Sequence, residues 1–474
     1  MLKKKYITLL MLFPTLFFSR LQSQSKTEKP NVLFIAVDDL NDWVGYLGGH
    51  PDARTPNLDR LAGKGVAFSK AYCAAPSSNP SRASLMTGIL PSSSGVYGNS
   101  QPFRKSKILK NAITIPQYFM NNGYVAMGSG KIYHDPIPDP ESWNYYWPAL
   151  NLQLPVDPTP PKELLPLNGI PKTEWFDWGP MNVNNEEMGD WQVADWVIGQ
   201  LQQRHEKPFF LACGLFRPHL PWFVPKEFFD LFPEDKLTLP TINENDLDDI
   251  PEIGKKIASP NGDHAKVIKY NQYRKAVQGY LASIAFMDAT LGRVLDAFEN
   301  SRYKNNTILI LWSDHGWHLG EKLHWRKFSL WEEATRNNLI IIVPGLTKPN
   351  TVCEQPVSLI DIYPTLLELC NLPSKKELQG KSLVPLLKNA QLEWDRPVLT
   401  THGFRNHALR TSRWRYIQYS DGSEELYDHS VDTLEWNNLA NKKKYSKVIE
   451  DFRRCLPQEN ESPSASEKFD PFYH

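Results

Sequence analysis

The chain has 474 residues, enough for one large α/β domain, or that plus a smaller one, around a sizeable core. Its 53 basic and 53 acidic residues cancel, which excludes a global attraction to nucleic acid or to an anionic membrane and leaves any affinity for an anion to local groups. Its 38 prolines, 15 tryptophans and 19 tyrosines point instead to long ordered loops and a surface able to stack on sugar rings.

Lys3, Lys4 and Lys5 precede an apolar run from Tyr6 to Phe18 and then polar residues 20–25. That order predicts a secretory signal peptide over residues 1–23, because the run is short for a membrane span; a single N-terminal anchor is the alternative. A periplasmic or secreted protein with no stable membrane anchor is expected. The five cysteines, Cys73, Cys213, Cys353, Cys370 and Cys455, are odd in number, far apart and without a CxxC pair. They argue against zinc and against a dense disulfide framework, and leave room for one or two bridges.

Residues 31–37 (Asn-Val-Leu-Phe-Ile-Ala-Val) are nearly all apolar, as in a strand buried on both faces of a parallel sheet. The run stops at Asp38-Asp39. Ligands of open α/β sheets bind beyond the carboxyl ends of the strands, so the pair suggests a cation site; a helix-capping Asp pair is an equal alternative. Thr55-Pro56 opens a helix with Leu58 and Leu61 inward, ended by Gly65, and residues 66–71 read as a strand. Next comes Ser78-Asn79-Pro80-Ser81-Arg82, a turn that becomes a helix, because Pro80 suits a first helical turn. Ser78 then sits at a helix N-terminus, where free N–H groups and the macrodipole favour an anion, and Arg82 can aim a guanidinium at the same point. Taken alone, the segment reads more simply as an N-capping serine on a surface helix.

Residues 115–121 are helical, and a strand at 124–127 delivers Gly130-Lys131-Ile132-Tyr133-His134. From 136 to 180 the chain is rich in Pro and Trp without clear periodicity, an insertion of loops. A helix at 186–205 precedes a buried strand at 209–214, which runs into Arg217-Pro218-His219-Leu220-Pro221. An acidic tract at 225–264 shows few regular signals. The longest helix, 276–299, has apolar residues at helical spacing, and a buried strand at 307–312 ends in Ser313-Asp314-His315-Gly316. A strand at 339–343 and a helix at 359–370 follow. After about Asn389, residues 396–401, 415–419 and 425–427 alternate and carry aromatics, and helical residues return at 444–454, predicting a small antiparallel sheet with a terminal helix. Residues 459–468 read as disordered. The expected plan is a signal peptide (1–23), a catalytic domain (30–388), a C-terminal subdomain (389–458) and a tail (459–474).

Asp38, Asp39, Ser78, Arg82, Lys131, His134, His219, Asp314, His315 and Lys327 combine hard oxygen ligands for a divalent cation with basic groups around one anion-accepting point. That is equipment for transferring a tetrahedral oxyanion such as sulfate or phosphate.

Ser78-Asn79-Pro80-Ser81-Arg82, with Thr87-Gly88 after it, resembles the Cys/Ser-x-Pro-Ser-Arg signature of type I sulfatases, whose first residue is oxidised to formylglycine (3-oxoalanine). It resembles the serine form, matured in bacteria by a radical enzyme. The Gly130–His134 and Arg217–Pro221 segments, Asp314-His315-Gly316-Trp317-x-Leu319-Gly320-Glu321 and Trp325-x-Lys327 are similar to the iduronate-2-sulfatase branch. The resemblance covers the chain from Asn31 to about Tyr427. It implies an alkaline-phosphatase-like α/β sandwich with a large, mostly parallel sheet and a smaller C-terminal antiparallel sheet.

The resemblance further implies that Asp38, Asp39, Asp314 and His315, with modified Ser78, hold one calcium ion; imidazole is a softer ligand than calcium prefers, so magnesium is the second choice. A hydroxyl of the hydrated aldehyde at Ser78 would attack sulfur and the second would collapse to expel sulfate. Arg82 would orient that side chain, Lys131 and Lys327 would bind sulfate oxygens, His219 would protonate the leaving alcohol and His134 would assist the collapsing hydroxyl. The common spacing is Lys-x-His, whereas His134 stands three after Lys131. His324, His402, Arg405 and His407, near predicted loop ends, are candidates for touching the sugar or a uronate carboxylate. The expected substrates are sulfated polysaccharides or oligosaccharides, of the algal ulvan or carrageenan type or glycosaminoglycans. Two alternatives stand beside this: a phosphatase or phosphodiesterase of the alkaline phosphatase superfamily, and an inactive secreted sugar-binding homologue.

Overall fold

The computed structural model describes residues 29–467 apart from Glu174 and Asp395. The expected signal peptide lies outside the described residues. Asn31–Val37, Phe209–Leu215 and Thr307–Ser313 are buried at every position, as apolar runs are when a sheet is covered on both faces. They form the middle of an eight-stranded sheet in the order Thr351–Cys353, Val66–Phe68, Leu339–Ile342, Thr307–Ser313, Asn31–Val37, Phe209–Leu215, Val125–Gly130, Tyr145–Trp147. Leu339–Ile342 is antiparallel to both neighbours; the other pairs are parallel.

Register decides where the chemistry emerges. Val37 pairs with Leu215 and with Ser313, and Gly130 with Gly214, so Asp38, Phe216, Asp314 and Lys131 leave the sheet at one edge. Gly130 is required there: its φ is +80° and a Cβ would collide with Gly214 O.

Side chains alternate across the sheet. Leu33, Ile35 and Val37 pack with Leu58, Val193, Leu281 and Leu291 from the helices Pro56–Ala62, Gly189–Gln202 and Tyr273–Asn300. Val32, Phe34 and Ala36 pack with Leu85, Phe119 and Leu366 from Ser78–Thr87, Ile115–Asn121 and Ile362–Leu369. The C-terminal sheet is a four-stranded antiparallel meander, Val398–Thr401, His407–Arg410, Trp414–Gln418 and Glu424–Asp428. One face packs on the helix Ser446–Arg453, with Tyr416 and Phe452 stacked at 5.4 Å. Its other face presents Ile417 and Tyr427 to Leu247, Ile250 and Ala258 of the acidic tract.

Several sequence expectations are corrected. The strand His407–Arg410 carries no strand signal in the sequence, because His-Ala-Leu-Arg lacks clear alternation. The acidic tract holds the helices Lys226–Asp230, Glu252–Ala258 and Asp263–Lys269, and the Pro- and Trp-rich insertion supplies the edge strand Tyr145–Trp147 and the strand Trp178–Met181, which pairs with Trp222–Pro225. The helix expected to stop at Gly65 stops at Gly63. All five cysteines are free, four of them buried, so no disulfide forms. The described part of the tail, residues 459–467, is tied to the domain: the N–H groups of Glu461, Ser464 and Glu467 donate to Ser92 O, Gly95 O and Ser100 O. Among the described residues no helix is long and apolar enough to cross a membrane.

Candidate active site

Asp38, Asp39, Asp314 and His315 are buried and each offers a ligand atom, all four lying within 4.8 Å of one another. Asp39 stands at φ +57°, its carbonyl accepting the Tyr280 hydroxyl at 2.7 Å while the Asn41 N–H donates to that same oxygen of Tyr280 at 3.0 Å. Burial lifts the Asp39 carboxyl to about 7; Lys327 pulls it down while Asp38 and Asp314 push it up. Burial also raises Asp38, but Lys131 and Arg82 outweigh it and hold Asp38 well below the usual carboxylate range. The Oδ2 atom of Asp39 is buried with no hydrogen-bond partner among the described residues. Burial drops His315 to about 4 despite the pull of Asp314, so its ring is neutral; with Nδ1 donating to Gly316 O (3.0 Å), Nε2 presents a lone pair toward the carboxylates. Three carboxylates, a neutral imidazole and an orphaned buried oxygen fit a divalent cation.

Ser78 is the first residue of its helix, after an extended Ser77 (φ −160°, ψ 136°), so it does not cap it. Its buried Oγ lies 3.0 Å from His315 Nε2 and 3.4 Å from Asp38 Oδ1, and accepts Lys327 Nζ at 3.2 Å. The helix start is tied on both sides. Asn99 Oδ1 accepts the Ser77 hydroxyl (2.7 Å) and the Asn79 N–H (3.0 Å), and Ser81 Oγ donates to Asp314 O at 2.6 Å. Arg82 donates through Nε to Asp314 Oδ2 (2.9 Å), through Nη2 to Asp38 Oδ1 (3.0 Å) and through Nη1 to Lys131 O (2.6 Å). One guanidinium thus locks two metal-capable strand ends to the serine helix. Lys131 Nζ is paired with Asp38 Oδ2, and Lys327 Nζ donates to Asp39 Oδ1 at 2.7 Å.

His219 Nδ1 donates to Leu220 O at 2.6 Å, leaving Nε2 3.7 Å from Asp39 Oδ2, and the side chain is 24% exposed. Burial and Lys131 hold its pKa well below the ordinary value. His134 is buried with both ring nitrogens unpartnered among the described residues, and burial, then Lys131 and Lys327, lower it too. His324 Nδ1 lies 2.8 Å from Ala258 O and Nε2 2.6 Å from Lys327 O, so neither nitrogen is left for a sugar. His402 sits 6.4 Å from the Phe328 ring beside Lys327, with Nδ1 unpartnered among the described residues. Arg405, at φ +63°, lies on the Phe404 ring, which packs edge-on against Tyr97. His407 Nδ1 is 3.0 Å from Thr401 Oγ1.

With this geometry in view, the chain matches the sulfatase family model over residues 30–372 and the C-terminal model of N-sulphoglucosamine sulphohydrolase over 320–462. It is 39% identical to a sulfatase of Formosa agariphila, covering 95% of this chain and 91% of that one. The chain belongs to the sulfatase family. It is a sulfuric ester hydrolase. Similarity extends to iduronate 2-sulfatase of Homo sapiens, 31% identical over 80% of this chain and 77% of that one. A solved structure in complex with its substrate D-glucosamine-2-N,6-O-disulfate superposes with a TM-score of 0.74 at 22% identity, covering 90% and 97% of the two chains, and shares the alkaline-phosphatase-like fold.

Sequence reasoning missed Asn99 and Tyr280 in this sulfatase. Asn99 lies in a Gly-Asn-Ser run with no local signal, and Tyr280 reads as one more core aromatic on a long helix.

Proposed function

We propose that this sulfatase removes sulfate from sugars of sulfated oligosaccharides, with 2-O-sulfated uronic acids first among them, using formylglycine made from Ser78 and one calcium ion. The observation that carries the reading is the position of Ser78 Oγ, in reach of Lys327, His315 and Asp38 at once. Iduronate 2-sulfatase supports the uronate choice. Asp38, Asp39, Asp314 and His315 would hold the ion, which would acidify the neighbouring hydroxyl and balance charge on sulfate; three carboxylates at one point suit calcium, since magnesium keeps several waters and usually takes one or two carboxylates. Formylglycine supplies a hydrated aldehyde, whose second hydroxyl lets the residue be freed without water attacking sulfur.

The chain's own side chains do the rest. Three carboxylates (Asp38, Asp39, Asp314) face three cations (Arg82, Lys131, Lys327), so an added divalent cation leaves the pocket positive, as an anionic ester needs. Lys131 and Lys327 take sulfate oxygens, and Arg82 keeps the helix start aligned. His219 gives a proton to the leaving alcohol: burial, then Lys131, keep the imidazole neutral in the empty site, and the negative sulfate offsets the lysine part of that effect. His134 accepts a proton from the collapsing hydroxyl. His402 and Arg405, on one hairpin, form the sugar-facing wall. A signal peptide over residues 1–23 would export the protein, a serine-type maturation enzyme would act on Ser78, and residues 389–458 would form a subdomain.

Sulfate release from defined oligosaccharides, beside mass spectrometry of the Ser78 peptide, tests this. Release from 2-O-sulfated uronates, with a Ser78 peptide lighter by two hydrogens, is expected; an unaltered serine in an active preparation overturns it.

A further inference from the structure

The backbone that carries Lys327 is unusual. Lys322 (φ +56°), Leu323 (φ +49°), Arg326 (φ +72°) and Phe328 (φ +72°) all hold left-handed conformations, which a side chain disfavours and which persist only where surroundings enforce them. The enforcement comes mainly from one place, residues 246–264 of the acidic tract. Lys322 Nζ donates to Asp246 Oδ1 at 2.6 Å, Trp325 Nε1 to His264 Nδ1 at 3.3 Å and Arg326 Nε to Asp263 Oδ2 at 2.7 Å.

His324 differs from these three because it grips the lysine residue itself. Its ring bridges Ala258 O on the tract (2.8 Å) and Lys327 O (2.6 Å), and it is 7% exposed. Ala258 in turn packs against the C-terminal sheet through the cluster of Ile417 and Tyr427. A chain of contacts therefore runs from that sheet, through a short helix and one imidazole, to the main chain of Lys327, whose Nζ reaches Asp39 and Ser78.

We infer that His324 is a positioning residue for Lys327: by bridging Ala258 O and Lys327 O it fixes the strained loop so that the ammonium group meets the sulfate, and it does not touch the sugar. The inference rests on the sulfate-binding reading of Lys327. Each carbonyl can only accept; burial lowers the His324 pKa, so the neutral ring donates its one N–H to one of the two and wedges against the other, holding the two backbones apart at a fixed distance. A displacement of about 1 Å at a catalytic group costs about 10²-fold in rate.

The test is a double-mutant cycle on the matured protein, with kcat and KM measured on an activated aryl sulfate. His324→Ala is expected to lose about 10²-fold in kcat/KM, His324→Gln less, since its amide can still serve one carbonyl, and Lys327→Ala more than either. In the Lys327→Ala background, His324→Ala should cost nothing further, a non-additivity that general loss of structure does not produce. Losses that multiply overturn the positioning role alone. Wild-type kinetics for Lys327→Ala overturn the sulfate role of Lys327 and the positioning role with it. If His324→Ala does not fold, the same cycle is run with His324→Gln, and the same two outcomes decide.

Discussion

Two buried charge clusters in this molecule look alike in composition and differ in how far their polar atoms are satisfied. Around Ser78, Asp39 Oδ2 and both nitrogens of His134 have no partner among the described residues, and burial leaves Asp39 at about 7. The second cluster joins Glu332, His429 and Glu435, whose ligand atoms are also close enough for a metal. There, however, Arg410 and Arg415 hold Glu332, Arg415 and His429 hold Glu435, and the Tyr72 hydroxyl donates to Glu332 at 2.9 Å. Burial raises Glu332, yet the two arginines bring it well below the carboxylate range. The second cluster's own orphan, Arg415 Nε, still meets its counter-charge on Glu435 as an ion pair, whereas the His134 nitrogens meet none among the described residues; a cluster whose charges pair with one another builds structure, and one whose polar atoms are left unpaired is poised for a ligand.

Substitutions in the two clusters should therefore separate rate from stability. Ser78→Ala should abolish sulfate release while thermal unfolding stays at the wild-type midpoint. Asp314→Asn should lose bound metal and about 10³-fold in kcat together; wild-type rates at reduced metal content would refute the ligand assignment. His219→Ala should cost about 10²- to 10³-fold on sugar sulfates and much less on an activated aryl sulfate, whose leaving group needs no proton. The pH profile carries the sign. His219 must be protonated to act as an acid, and burial with Lys131 lowers its pKa, so kcat/KM on sugar sulfates should fall as pH rises from below the ordinary histidine value. The kcat limb should lie at higher pH, because bound sulfate offsets the lysines, and His219→Ala should show neither limb. In the second cluster, Arg415→Ala should destabilise the fold by about 3–5 kcal/mol, measured by denaturant unfolding, with kcat of the folded fraction unchanged. A rate loss there without a stability loss would erase the contrast.

How much of this was legible beforehand follows the same division. Asn31–Val37, Phe209–Leu215 and Thr307–Ser313 announce themselves as apolar runs that meet a charged residue within two positions of their ends, because a strand covered on both faces has nowhere to put a polar side chain. Asp38, Asp39, Asp314 and His315 could be read because they sit just past those runs. What stayed hidden depends on contacts between distant segments. His324 looked like a loop-end sugar contact, and only the fold brings Ala258 to it, 66 positions away. Asn99 holds the Ser78 helix from a turn with no periodicity of its own.

The tail is the sharpest case, since its polar, charged composition reads as disorder and its order comes from backbone bonds to residues 92–100, which composition cannot encode. Those bonds reach the catalytic cluster. Gln101 donates through Nε2 to Ser464 O (2.7 Å), accepts the N–H groups of Tyr97 and Gly98 at Oε1 (2.7 and 2.9 Å), and offers its carbonyl to Asn79 Nδ2 at 2.7 Å. The Tyr97 hydroxyl adds a bond to Glu461 O, also at 2.7 Å. Deleting the chain from Asn460 onward should cost about 2–7 kcal/mol, from five hydrogen bonds at about 0.5–1.5 each, seen as a lower unfolding midpoint. It should also reduce kcat/KM modestly by loosening the residue next to Ser78. A stability loss with no change in kcat/KM would place the tail with the Arg415 cluster, as structure only; a loss in both would extend the catalytic cluster to the C-terminal strap.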